Sequence, residues 1–222
     1  MTRFYSEYQI NDLHIGCTGQ TVIAYNSITE QEVFSYKIPY VYEGMFVPGM
    51  DAFIVKSTKG YLVRIDLKTE EIVKIRVSKS VQDGGYAICP WNLCLYNVEQ
   101  IKGLFQIAIY DTKNLVMKDI IPIKGNIINV FDVEFDCSEQ TWYLSLSYMY
   151  DLYQNVTKHA VVKMKDKELV EVRNCSMSDL LNVTNYKGFE RCNFTPKSLQ
   201  IYRIDDSSRN NRYTLKDLFS KS

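Results

Sequence analysis

The sequence predicts an all-β fold, a single β-propeller domain of about five four-stranded blades. Two observations carry the prediction. A short apolar segment ending in Asn or Asp recurs five times along the chain, and it recurs at roughly the length of one four-stranded blade, 40 to 45 residues. A third observation agrees: 46% apolar and 23% charged residues over 222 positions make a globular chain with a sizeable core.

The recurring segments are Thr21-Val-Ile-Ala-Tyr-Asn26, Tyr61-Leu-Val-Arg-Ile-Asp66, Gln106-Ile-Ala-Ile-Tyr-Asp111, Val161-Val-Lys-Met-Lys-Asp166 and Gln200-Ile-Tyr-Arg-Ile-Asp205. Their second position is always aliphatic (Val22, Leu62, Ile107, Val162, Ile201) and their sixth always Asn or Asp. An Asn or Asp side chain can accept hydrogen bonds from the backbone two residues on, which ends a strand and starts a turn. Return strands are expected at Val33 to Ile38, Ile72 to Val77, Leu115 to Ile120 and Leu169 to Arg173. Two strands should precede each later hairpin: Glu43 to Val47 and Ala52 to Lys56, then Tyr86 to Cys89 and Leu93 to Val98, then Ile128 to Phe135 and Trp142 to Tyr148. The third interval is the longest, and Tyr148 to Lys158 reads as an extended loop that accounts for it. Blades are thus expected at about 1–39, 40–80, 81–124, 125–174 and 175–222. The alternative is a β-sandwich assembled from the same hairpins.

With 10 Gly and 5 Pro, the turns must draw on Asn, Asp, Lys and Glu instead. Helix signals are few. Ser176 or Ser178 can cap a short turn at Asp179 to Asn182. Tyr213 to Phe219 reads as a short helix or as a last outer strand, in which case its partner could come from Phe4 to Ile10.

Gly60-Tyr-Leu-Val-Arg-Ile-Asp-Leu-Lys-Thr-Glu-Glu-Ile-Val-Lys74 resembles the outer hairpin of WD-repeat-like and quinoprotein-like β-propellers, and Ile107-Ala-Ile-Tyr-Asp-Thr-Lys-Asn-Leu115 repeats it. In those families a strand ends in Asp and is followed by a Thr-containing turn and a return strand. The Trp-Asp and Gly-His signatures of WD repeats and the Gly-Trp of quinoprotein repeats are absent. The resemblance therefore implies the fold, and no quinone or other cofactor is expected.

Three acidic residues, Asp132, Glu134 and Asp136, alternate with Val133 and Phe135, so on a strand the carboxylates share one face. They are the candidate catalytic residues for glycoside chemistry, which needs one ionised and one protonated carboxyl. Trp142, Tyr148, Tyr150 and Tyr153 are the candidate binding residues. In the preceding strand Trp142, Leu144 and Leu146 should face one way, and Tyr143, Ser145 and Ser147 the other. Tyr150 and Tyr153 should be exposed on the loop, and Tyr and Trp are enriched at interaction hot spots.

The two histidines, His14 and His159, sit in structural contexts, and no Gly-x-Ser-x-Gly nucleophile motif is present. None of the six cysteines forms a Cys-x-x-Cys pair, so no metal site is expected and the thiols should be reduced. Equal numbers of basic and acidic residues, 26 each, argue against a nucleic-acid ligand. No apolar run follows Met1 to Tyr8 and none is long enough to span a membrane, so no membrane association and a cytoplasmic location are expected. Taken together the residues predict a non-catalytic propeller that docks another protein through Tyr-rich loops. A carbohydrate-acting hydrolase or transferase, or a glycan-binding lectin, with its site at the propeller channel is the alternative.

Overall fold

The computed structural model describes residues 4–82, 84–181, 201–203 and 214–221. Its strands form four antiparallel sheets in which, apart from one strand added late in the chain to the first sheet, hydrogen-bonded neighbours are sequence neighbours. Sheet one holds β1 (Ser6–Ile10), β2 (Leu13–Cys17), β3 (Thr21–Asn26) and β4 (Glu32–Lys37). Sheet two holds β5 (Val41–Phe46), β6 (Ala52–Ser57), β7 (Tyr61–Asp66) and β8 (Ile72–Arg76). Sheet three holds β9 (Tyr86–Ile88), β10 (Cys94–Ile101), β11 (Leu104–Asp111) and β12 (Met117–Pro122). Sheet four holds β13 (Ile127–Asp136), β14 (Thr141–Asp151), β15 (Val156–Lys165) and β16 (Glu168–Cys175). Helix α1 (Met177–Leu181), β17 (Ile201–Arg203) and helix α2 (Leu215–Lys221) complete the described elements. Among the described residues no helix is long and apolar enough to cross a membrane.

The chain divides into two compact units, one centred on Met1–Gln82 and the other on Asp83–Asp111 with Val116–Asn193 and the C-terminal residues. In the first, Ile15, Val22 and Ala24 of sheet one join Phe53, Val55 and Val63 of sheet two in one buried cluster. In the second, Val98, Ile107 and Ile109 of sheet three join Phe135, Trp142 and Leu144 of sheet four. Within a sheet, burial falls from the early strands to the last. All six residues of β6 are buried, whereas β8 alternates between exposed and half-buried and β16 is almost wholly exposed. A meander that buries its first strands and leaves its fourth in solvent is the pattern expected of a blade.

The turns show how a glycine-poor chain makes its hairpins. Asn26 Oδ1 accepts the N–H groups of Ile28 and Thr29, both at 2.9 Å, and Asp66 Oδ1 those of Lys68 at 3.1 Å and Thr69 at 2.9 Å. Asp151 Oδ1 does the same for Tyr153 and Gln154, and Asp136 Oδ1 takes the Ser138 N–H. Four residues after each acceptor, and after Asp111, one non-glycine residue turns to positive φ: Glu30, Glu70, Leu115, Gln140 and Asn155. That residue closes the loop, as where Glu30 and Glu70 donate to the carbonyls of Asn26 and Asp66. The fourth repeat departs from this. Asp166 is itself at positive φ, in a two-residue turn between β15 and β16.

The shared geometry carries an internal test. The donors from Thr69, with Lys68 and Arg64 behind them, outweigh partial burial and hold the Asp66 carboxyl below the usual carboxylate range. A lowered folded pKa means that the stabilisation is present above the unfolded value and is lost as pH falls through the folded one. Asp66→Ala should therefore cost about 1 kcal/mol at neutral pH and progressively less in acid. Asn26→Ala should cost a similar amount at every pH. Parallel pH-dependent denaturant melts of the two variants check this, and identical pH profiles would refute it.

One expectation needs correction. Tyr148 to Lys158 is not an extended loop, because β14 and β15 stay paired through Tyr148↔Lys158, Met149↔Thr157 and Asp151↔Val156. Another Asx turn, at Asp151, allows the strands to run on. Residues 215–221 are helical, the first of the two readings of Tyr213 to Phe219. The N-terminal strand β1 pairs with β17, Tyr8 opposite Arg203 and Ile10 opposite Ile201. Of the fifth recurring segment only Ile201–Arg203 is described, and it extends sheet one; Gln200, Ile204 and Asp205 lie outside the described residues. The described residues form four sheets.

Candidate functional site

The acidic row on β13 was the sharpest chemical feature of the sequence. Its alternation holds: Val133 and Phe135 enter the core with Trp142, Leu144 and Leu146, while Asp132, Glu134 and Asp136 point to the other face. That face is where helix α2 docks. Leu215, Leu218 and Phe219 pack there against Tyr143 and Val161. Glu134 Oε2 accepts the Leu215 N–H at 3.0 Å, so a nearly buried carboxylate meets the positive end of the helix. Asp136 pairs with Lys216 at 2.6 Å, and Lys216 also reaches Glu139 at 3.3 Å. Burial opposes ionisation of Asp136, yet Lys216 and the Ser138 donors hold its carboxyl below the usual range. Asp132 is buried over Gly85, where a Cβ would lie 2.1 Å from its Oδ1, and its Oδ1 accepts the Val133 N–H at 2.9 Å.

Thr214 and Asp217 close the helix start reciprocally, the Asp217 N–H to Thr214 Oγ1 at 2.7 Å and the Thr214 N–H to Asp217 Oδ2 at 3.0 Å. At the other end Arg173 donates to the Phe219 carbonyl at 3.0 Å and lies over the Phe219 ring. The acidic row is therefore the seat of a helix. Ser176 caps α1 by the same reciprocal device, with Asp179.

The four aromatic candidates separate. Trp142 is 2% exposed, stacks edge-on to Tyr96 and donates its indole N–H to the Asp166 carbonyl at 3.1 Å, so it is a core residue. Its place in the alternating strand predicted the inward face, and that reading prevails over the one that made it a binding residue. Tyr148 is half-buried, and its hydroxyl donates to Asn174 Oδ1 at 2.8 Å. Tyr150 and Tyr153 are exposed by 62% and 101%, with Leu152 at 67% between them, at the end of the β14–β15 hairpin. The Lys158 ammonium stands 3.4 Å from the Tyr150 ring centroid. The structure brings Tyr150 and Tyr153 to one hairpin tip and leaves Trp142 in the core.

The remaining reactive side chains are used within the fold. His159 Nδ1 pairs with Ser147 Oγ at 2.7 Å, and His14 Nε2 lies 3.4 Å from Glu7. Burial pushes the Cys17 thiol up to about 12, and burial with Asp179 pushes Cys175 up to about 11, so neither supplies a thiolate at neutral pH. Cys17, Cys89, Cys94 and Cys175 are free thiols, but Cys137 is disulfide-bonded, against the expectation of six reduced cysteines. Among the described residues no group of three His, Cys, Asp or Glu side chains is placed to hold a metal ion.

The class these features define is an all-β protein of four-stranded antiparallel meanders. No protein-family model matches the chain, and no curated protein matches it. Among solved structures it is similar to Kuenenia stuttgartiensis hydrazine synthase, with a TM-score of 0.60 and 13% identity, over 75% of this chain and 51% of that one. It is also similar to the N-terminal domain of Nup159, with a TM-score of 0.49 and 12% identity, over 74% of this chain and 46% of that one. The chain spans about half the length of these solved chains. At such identities the likeness to hydrazine synthase concerns the fold alone.

Proposed function

We propose that the chain is a β-propeller-type repeat, of about five blades as its recurring segments count them, that serves as a non-catalytic platform for a protein partner. The observation that carries the reading is the β14–β15 tip. There Tyr150, Leu152 and Tyr153 are exposed together on a paired hairpin whose base is anchored in the core by Leu144, Leu146 and Val162. Rigid aromatic side chains presented on a supported hairpin lose little entropy on docking.

The carbohydrate-acting alternative loses its nearest acids, because Glu134 and Asp136 hold α2. No cofactor, nucleic acid or membrane enters the reading. A cytoplasmic location goes with it on the strength of four free thiols, with the Cys137 disulfide as the feature against it.

The experiment is affinity capture of tagged protein from its own cells, beside the Tyr150→Ala/Tyr153→Ala double variant. One stoichiometric partner should be captured by the wild type and lost with the double variant, whose melting temperature should stay unchanged because both rings are in solvent. A partner retained by the variant would show that the tip is not the docking site.

A further inference from the structure

Sheets three and four pack face to face, but beside their last strands the packing opens into a cleft of about 690 Å³. Its floor is Ile107 and Ile121 on one side and Leu144, Leu146, Val162 and Met164 on the other. The outer lip is set by a β-bulge. Val162 pairs with Val172 and Met164 with Leu169, with a register shift between Lys163 and Met164. Three residues apart, Leu169 and Val172 would lie on opposite faces of a regular strand; the bulge turns both toward the cleft. They are 58% and 46% exposed, apolar where a solvent-facing outer strand needs no apolar residue.

The charged residues lining the cleft are two lysines, Lys124 and Lys167, and both are exposed. Lys167 is paired with Asp119. Lys124 forms no ion pair among the described residues. The Tyr148 hydroxyl, also in the lining, already donates to Asn174 Oδ1.

From the apolar walls, the volume and the lysine-only charge we infer that this cleft binds a single-chain amphiphile with a carboxylate head, a long-chain fatty acid. The volume lies within the range of small-molecule sites. The alkyl chain occupies the space between Ile107, Leu146 and Val162. The carboxylate stays at the mouth, where Lys124 meets it, because a carboxylate inside the apolar part would lose its hydration without a partner. The site is independent of the Tyr150–Tyr153 tip.

The test is a fluorescence titration with cis-parinaric acid, followed by displacement with decanoate, dodecanoate and dodecanol. One saturable equivalent should bind. Dodecanoate should displace it better than decanoate by up to about fourfold per added methylene, and better than dodecanol by up to about fivefold. Lys124→Glu should abolish the preference for the acid over the alcohol. Asp119→Asn, which releases Lys167, should tighten dodecanoate. Leu169→Asp, at an exposed lip position, should abolish binding, while Leu104→Asp, more exposed and outside the cleft lining, should leave it intact. No saturable binding would overturn the proposal and leave the cleft to apolar side chains of a partner. Equal competition by acid and alcohol, or an unchanged acid preference in Lys124→Glu, would overturn it as well.

Discussion

Gly60→Ala is expected to lower stability by about 3 kcal/mol or more, with a fall in melting temperature of roughly 6–12 °C. Two costs coincide at this position. Gly60 has φ +84°, where an alanine alone costs about 1–2 kcal/mol. A Cβ would also lie 2.3 Å from the Ser78 carbonyl oxygen and 3.0 Å from its carbon, and a backbone obstacle cannot rotate away. The contact exists because the Gly60 carbonyl accepts the Val77 N–H at 2.8 Å, which ties the end of β8 back onto the start of β7. Gly103→Ala is the control: its φ is +82° with nothing within 4 Å of the added carbon, so only the same backbone cost of about 1–2 kcal/mol applies. Thermal melts of the pair measure the difference. Equal losses would mean that the Ser78 contact contributes nothing.

Phe219→Ala is expected to cost about 3 kcal/mol and to release helix α2 from sheet four. Phe219 is 5% exposed, with its ring 5.3 Å from that of Tyr143 and the Arg173 guanidinium 4.6 Å above it. Removing the ring leaves a cavity beneath the guanidinium that a seven-residue helix has little scope to refill. Thr214, Glu134 and Asp136 orient the helix, but none of them supplies apolar burial. Lys216→Ala breaks two ion pairs of a side chain that is 34% exposed and should cost no more than about 1 kcal/mol. The measurement is the denaturant midpoint of both variants, with limited proteolysis to report cleavage of the C-terminal segment. If Phe219→Ala melted with the wild type and resisted protease equally, α2 would not be the cover of that face.

Much of the secondary structure was legible in the sequence because it depends on local chemistry. Thr21–Asn26 and Tyr61–Asp66 are strands with the bounds read from the repeats, and each ends where its Asn or Asp turns back on the backbone. The facing of Val133 and Phe135 on β13, and of Trp142, Leu144 and Leu146 on β14, followed from alternation, since a regular strand of period two has no other choice once one face is apolar. The glycine shortage also read correctly, because polar and aliphatic residues take the positive-φ positions.

The site was much less legible. Asp132, Glu134 and Asp136 looked like a site because three carboxylates shared one face. Nothing nearby in the sequence says that a helix more than seventy residues later starts on that face. Trp142 was singled out as an aromatic although its own alternation placed it inside. The cleft was missed, and its one local signal was Leu169-Val170 with Val172 on a strand expected to be outermost. That signal becomes informative only with the bulge that rephases it.

The sequence by itself thus determined most of the strands, the Asx turns and the inward face of the regular strand stretches, all set by interactions within a few residues. Only the tertiary structure decided that β17 joins β1, that α2 caps sheet four, that β14 and β15 remain paired to their tip, and that a cleft opens between sheets three and four. Those outcomes depend on which distant surfaces meet, and on pairings whose stabilisation appears only after the intervening chain has been ordered.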